Sequence, residues 1–172
     1  EMVLSQGLLG RRAFAQATRE KRASDPGALE FLDCAIETID AVLALAARYA
    51  QGARDKGRRD VTDVLEQVPA RRPRSFHEAL QSLRLCHAVL WMSGHYHCGL
   101  GRFDQYMWPY LKDDLEALRL DESEAEELLA EFDRKARQVP QGIGDPLFDG
   151  IGVALPLPAV IAGTVIGDCQ FD

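Results

Sequence analysis

A single apolar stripe, unbroken from Ala28 to Ala50, constrains this chain more than any other feature. Ala28, Leu32, Ala35, Ile39, Val42, Leu43, Ala46, Tyr49 and Ala50 recur at spacings of three and four. That period puts them on one face of an α-helix. Both ends are marked. Ser24-Asp25-Pro26 sets a carboxylate at the N-cap and a proline at the first helical position, where its missing N–H is not needed. Arg54 and Lys56 suit the negative end of the helix dipole, and Gly57 can supply a left-handed cap. Such a helix must pack along its length against another apolar surface.

Other helices follow the same grammar. Val3, Leu4, Leu8, Leu9, Ala13, Phe14 and Ala17 predict a helix over 2–22, with Gly7 and Gly10 each costing it about 1 kcal/mol relative to alanine. Asp60 starts a short helix to about Gln67, with Val61, Val64 and Leu65 inward, and 69–74 is a connection. Ser75-x-x-Glu78 reads as a reciprocal capping box. Phe76, Leu80, Leu83, His87 and Leu90 then alternate spacings of four and three until Gly94. Asp104 is expected to cap a further helix, in which Pro109 marks a start or a kink. Leu111, Leu115 and Leu118 continue that helix. Asp121-x-x-Glu124 opens the last one, which has an acidic first turn, a basic last turn (Arg134, Lys135, Arg137) and a buried face of Leu128, Leu129, Phe132 and Ala136.

From Val139 the pattern changes, so the chain divides into a helical part, 1–138, and a Pro/Gly-rich tail, 139–172. Pro140, Pro146, Pro156 and Pro158 break any helix. Ile151 to Ile166 is apolar, but sixteen residues with two internal prolines are short for a membrane span. Short strands at Val160-Ile161 and Thr164-Val165-Ile166 fit better. The expected fold is mainly α with an irregular or short-strand C-terminal tail. With 172 residues the chain can build one real core. A formal net charge of −7 disfavours nucleic acid and anionic membrane as partners. Four cysteines without dense or paired spacing, and no signal peptide, point to reduced thiols in the cytoplasm. A start at Glu1 rather than Met is read as a fragment or a processed form.

Candidate chemistry gathers between Ser75 and Tyr110, which holds all four histidines and both tryptophans. His95, His97 and Cys98 are of ligand type for zinc, although a tetrahedral site would also need His87 or Cys86 from the preceding helix. Cys98 with a neighbouring histidine is also the pair needed for thiol nucleophilic catalysis, but no third, orienting group is evident. Against these stand packing histidines. Cys86 reads as a small core residue. Arg102 and Asp104 read as a structural turn, with the arginine holding loop carbonyls. Tyr106, Trp108 and Tyr110 read as a packing wedge.

The more specific signal is a combination of motifs. Pro73-Arg74-Ser75-Phe76, the run Phe76-His77-Glu78-Ala79-Leu80-Gln81-Ser82-Leu83, His87, Gly101-Arg102-Phe103-Asp104-Gln105-Tyr106 and the Met107-Trp108-Pro109-Tyr110 turn together resemble the pyruvate formate-lyase-like glycyl radical enzymes. The resemblance covers residues 2–138. It implies the helical segment of what in the family is an α/β barrel, in an oxygen-sensitive enzyme of the formate acetyltransferase, dehydratase or lyase type. In that family a radical S-adenosylmethionine activase with an iron–sulfur cluster installs a radical on a backbone glycine. A cysteine thiyl radical then attacks a small-molecule substrate. The implied partners are that substrate, the activase and a second copy in a homodimer, and no cofactor is implied as bound by these residues themselves.

The same resemblance assigns the substrate-facing loop to Tyr96, His97, Cys98 and Phe103. Relatives that dehydrate diols carry His-Ser before the GRF turn, whereas here serine is missing and a titratable histidine is available instead. Neither the family's Gly-Cys loop nor its Arg-Val-x-Gly-Tyr-like glycyl loop occurs among the 172 residues. The expected role is therefore scaffold plus one loop, inactive alone, with catalytic residues elsewhere. The alternative is a free-standing helical domain that binds a metal or small ligand through His95, His97 and Cys98.

Overall fold

A computed structural model describes residues 2–92 and 99–137. Among them are six helices and no strand: α1 (Met2–Lys21), α2 (Pro26–Asp55), α3 (Arg59–Gln67), α4 (Phe76–Met92), α5 (Phe103–Glu116) and α6 (Glu122–Arg137). The mainly α reading of the sequence holds. The residues fall into two compact units, one ending at Asp113 and the other beginning at Asp114. The tail that the sequence sets apart, 139–172, lies outside the described residues, including the strands expected there.

In the first unit α1 and α2 form an antiparallel pair. Arg12 reaches Asp40 at 2.6 Å and Arg19 reaches Asp33 at 2.5 Å, so the partner number falls as the first number rises. Asp25 caps α2 as its sequence requires, its carboxylate accepting the Ala28 N–H at 3.1 Å. Gly57 ends the turn beyond it with φ of +71°. Burial along the α2 stripe is uneven: Ala46 and Ala50 are buried, Leu32, Ile39, Val42 and Leu43 are half-buried, and Tyr49 is exposed. The deep end is where α3 and α4 join. Arg54 of α2 pairs with Glu66 of α3 there. The core of this unit centres on Val68, Phe76, Ala79 and Leu80, all nearly inaccessible to solvent. In α3, Leu65 is buried while Val61 and Val64 are half-buried. Thr62 is buried as well, its hydroxyl donating to the Arg58 carbonyl at 2.9 Å.

Two glycines were expected to weaken α1, and one of them turns out to shape it. Gly7 has φ +70° and ψ 170°, so the helix stops and restarts. The restarted turn has free N–H groups. The Leu8 N–H donates to the Pro69 carbonyl at 2.8 Å and the Leu9 N–H to the Ala70 carbonyl at 3.0 Å. The chain between α3 and α4 thus serves as the N-terminal cap of α1. The break also resets the helical phase. Leu4, Leu8 and Ala15 are buried, whereas Ala13, Phe14 and Ala17 face solvent, contrary to the continuous stripe read from the sequence. The Arg11 guanidinium covers the Phe14 ring at 4.8 Å.

The second unit contains α6 and the end of α5. Leu118 is not part of an apolar stripe: it is 91% exposed with φ of +53°. The Leu118 N–H donates to the Leu115 carbonyl and the Arg119 N–H to the Asp114 carbonyl. This is the Schellman arrangement, with leucine where glycine is usual. Arg119 also pairs with the buried carboxylate of Asp114 at 2.7 Å. Asp121 and Glu124 form a reciprocal capping box at 2.8 and 2.9 Å, and Ala125, Leu129 and Phe132 are buried on the helix it opens.

Candidate functional site

The candidate site lies wholly in the first unit, where α4, the start of α5 and the first turn of α1 converge. Its frame begins at the N-terminus of α4. The Ser75 Oγ accepts the Glu78 N–H at 3.2 Å, one half of the expected box. The other half differs. The buried Glu78 carboxylate accepts the Arg74 backbone N–H at 2.6 Å and the Arg74 guanidinium at 2.5 Å, one residue earlier than a reciprocal box would place it. An arginine that can return two charge-assisted bonds outcompetes the lone N–H of Ser75. From this anchor α4 runs on, presenting Ser82, Leu83, Cys86, His87 and Leu90 at helical spacing.

The GRFDQY turn supplies the facing wall. Gly101 has φ of +61°, a conformation in which a side chain would be strained. The Arg102 carbonyl accepts the N–H groups of Gln105 and Tyr106, so α5 opens at Phe103. Asp104 therefore sits inside the first turn of the helix rather than at its N-cap. Arg102 is largely exposed and lies 3.7 Å from the Asp104 carboxylate. Phe103 is buried and meets the Tyr106 ring edge to face, with centroids 5.8 Å apart and planes at 72°. The Tyr106 hydroxyl donates to the Leu100 carbonyl at 2.7 Å, and burial, with the Asp104 charge, pushes its pKa up to about 12. Pro109 is exposed inside α5, in its second turn. The Tyr110 hydroxyl donates to the Leu4 carbonyl at 2.8 Å, pinning the first turn of α1 to α5.

These ties enclose a half-open cavity of about 260 Å³. Val3 and Leu4 line it from α1, Ser82, Leu83, Cys86, His87 and Leu90 from α4, and Gly99, Leu100 and Tyr106 from the turn and α5. The Ser82 Oγ is buried without a hydrogen-bond partner among the described residues. Burial pushes the Cys86 thiol up, which keeps it protonated and a poor nucleophile at neutral pH. Cys86 is thus half-buried on a cavity wall rather than a plain core residue.

His95, Tyr96, His97 and Cys98 lie outside the described residues, so the metal, nucleophile and substrate-loop readings of that segment have no geometry here. Phe103 packs under Tyr106 and does not line the cavity. Among the described residues no three His, Cys, Asp or Glu side chains group as metal ligands. Sequence reasoning missed Val3, Leu4 and Ser82. Ser82 left a signal, a small polar residue spaced three from Ala79 and four from Cys86 on a largely apolar helix.

Comparison with known proteins agrees with this architecture. A pyruvate formate lyase-like family model matches residues 1–152. A structure from work on 1,2-propanediol dehydration in Roseburia inulinivorans is 31% identical, with a TM-score of 0.63; the match covers 74% of this chain and 18% of that one. A glycyl radical enzyme from Archaeoglobus fulgidus, 23% identical with a TM-score of 0.67 over the same shares, has the same fold. The described helices are thus the helical segment of a glycyl radical enzyme fold. The chain belongs to the pyruvate formate lyase-like family, and it spans about a fifth of the length of these relatives. Among the described residues no helix is long and apolar enough to cross a membrane.

Proposed function

We propose that this chain is the scaffold segment of a glycyl radical lyase, dehydratase or acyltransferase of anaerobic metabolism, presenting one loop to a small-molecule substrate. The observation that carries the reading is the GRFDQY turn. Gly101, the buried Phe103 and the Tyr106–Leu100 bond fix the exit of the segment 93–98, in which Tyr96, His97 and Cys98 stand. A loop with one end so anchored can hold a hydrogen-bonding side chain in place for a substrate.

The radical itself requires residues that these 172 do not include. With neither a Gly-Cys loop nor a glycyl loop in the sequence, no catalytic step is assigned to any residue here. The activase, the cytoplasmic setting and a homodimer belong to the same proposal. A family activase with S-adenosylmethionine should leave this chain without an electron paramagnetic resonance signal, and a glycyl doublet on this polypeptide would overturn the reading. The loop role is tested by grafting residues 2–137 into the Roseburia protein in place of the matching segment. The graft should take up the radical, and His97→Ala in it should alter turnover of 1,2-propanediol. Turnover indifferent to that substitution would remove the loop from the site.

A further inference from the structure

We propose that the cavity between α4, α5 and the first turn of α1 is a binding site for an uncharged molecule about one ring in size, held through a single polar group by Ser82. This goes beyond the enzyme reading, because it needs neither a radical nor an activase. Size comes first. A cavity of about 260 Å³ exceeds the roughly 150 Å³ in which benzene is bound when the walls are apolar. The walls here are supplied largely by Val3, Leu4, Leu83, Leu90 and Leu100. Among the described residues no Asp, Glu, Lys or Arg lines them, and His87 is the one lining side chain that can become cationic, so a carboxylate or phosphate would exchange its water for at most one imidazole.

Specificity comes from the buried hydroxyl of Ser82. Ser82 is 1% exposed, and its Oγ has no hydrogen-bond partner among the described residues. Ser82 lines the cavity, and its hydroxyl has three staggered positions through which to meet a ligand. There it can give or accept one bond with a ligand hydroxyl or carbonyl, relieving an unsatisfied buried group. Cys86, half-buried on the same wall, is a native reporter of occupancy.

The test is titration of the full 172-residue chain, by calorimetry or nuclear magnetic resonance, with benzyl alcohol, toluene and benzoate. Benzyl alcohol should bind saturably, roughly two- to tenfold more tightly than toluene, as one added hydrogen bond provides. Benzoate should bind more weakly than either. Ser82→Ala should abolish the preference for the alcohol and leave toluene binding unchanged, while Ser82→Thr, which keeps the hydroxyl, should retain it. Benzyl alcohol should also slow carbamidomethylation of Cys86, read by peptide mass spectrometry, without slowing that of the exposed Cys34. The proposal is overturned by equal affinity for alcohol and toluene, by a preference that survives Ser82→Ala, by benzoate binding as tightly, or by unprotected Cys86. None of these results bears on whether a glycyl radical forms.

Discussion

Replacing Gly7 by alanine should destabilise the protein, although alanine is the better helix former and Gly7 lies within the span of α1. Helix propensity alone predicts a gain of about 1 kcal/mol. The structure reverses the sign. At φ +70° and ψ 170° only glycine is comfortable, and an L-residue there costs about 1–3 kcal/mol. A Cβ would also stand 2.4 Å from the Ala70 oxygen and 2.6 Å from Arg71 backbone atoms. Moving that backbone away would break the Leu8–Pro69 and Leu9–Ala70 bonds, each worth about 0.5–1.5 kcal/mol. These costs overlap, and alanine returns about 0.4–1 kcal/mol through the unfolded state. The net is a loss of about 3 kcal/mol, or about 6–12 °C in melting temperature for a chain of this size. Gly52→Ala is the internal control. Gly52 lies within α2 with open space where the methyl would go, so the same substitution should stabilise by about 0.5–1 kcal/mol. Circular dichroism melts of the two variants decide the matter. Equal or higher thermal stability of Gly7→Ala would refute the account of the α1 break.

Three further outcomes follow from local geometry. Leu118→Gly should raise the melting temperature, because leucine at φ +53° costs about 1–2 kcal/mol, glycine gives back about half of that to the unfolded chain, and the 91% exposed side chain loses no packing; a lower melting temperature would contradict this. Tyr106 should ionise near pH 12. Its raised value gives stability that is full below about pH 10 and is lost as pH rises toward 12, and Tyr106→Phe should remove both that dependence and the rise in tyrosinate absorbance near pH 12. Asp60 should titrate at about 2, because Arg58 bonds its carboxylate form; in Arg58→Ala the midpoint should climb toward 3.8, measured from side-chain carbonyl shifts. A lowered carboxyl of this kind favours the fold above the ordinary carboxylate range and ceases to do so as pH falls toward 2, and a midpoint still near 2 in the variant would exclude Arg58 as the cause.

Helix existence was legible wherever the determinants are local. Asp25-Pro26 and the Asp121–Glu124 pair each act within one turn, and both sit where their spacing puts them. What escaped the sequence depends on distant backbone. Nothing near Gly7 announces that Pro69 and Ala70 will cap the turn after it, and without that knowledge the phase of α1 is read wrongly for Phe14 and Ala17. Leu118 looked like the next rung of a stripe because periodicity does not report where a helix ends in a left-handed residue. Glu78 was matched to Ser75 by motif, yet Arg74 offers it more bonds. For the site, the motif from Gly101 to Tyr106 marked the turn, while the cavity behind it is assembled from residues 3, 4, 82, 86 and 100, a grouping no linear spacing reveals.

The bond from Tyr110 to Leu4 spans 106 positions, and that from Leu8 to Pro69 spans 61. Synthesis runs from amino to carboxyl end, and the first turn of α1 has its partners in later segments. The α2–α3 hairpin can settle while synthesis continues, but the bond from Tyr110 to Leu4 must wait until α5 has emerged. The first turn of α1 is therefore pinned later than that hairpin, and the cavity it helps to line is completed only then.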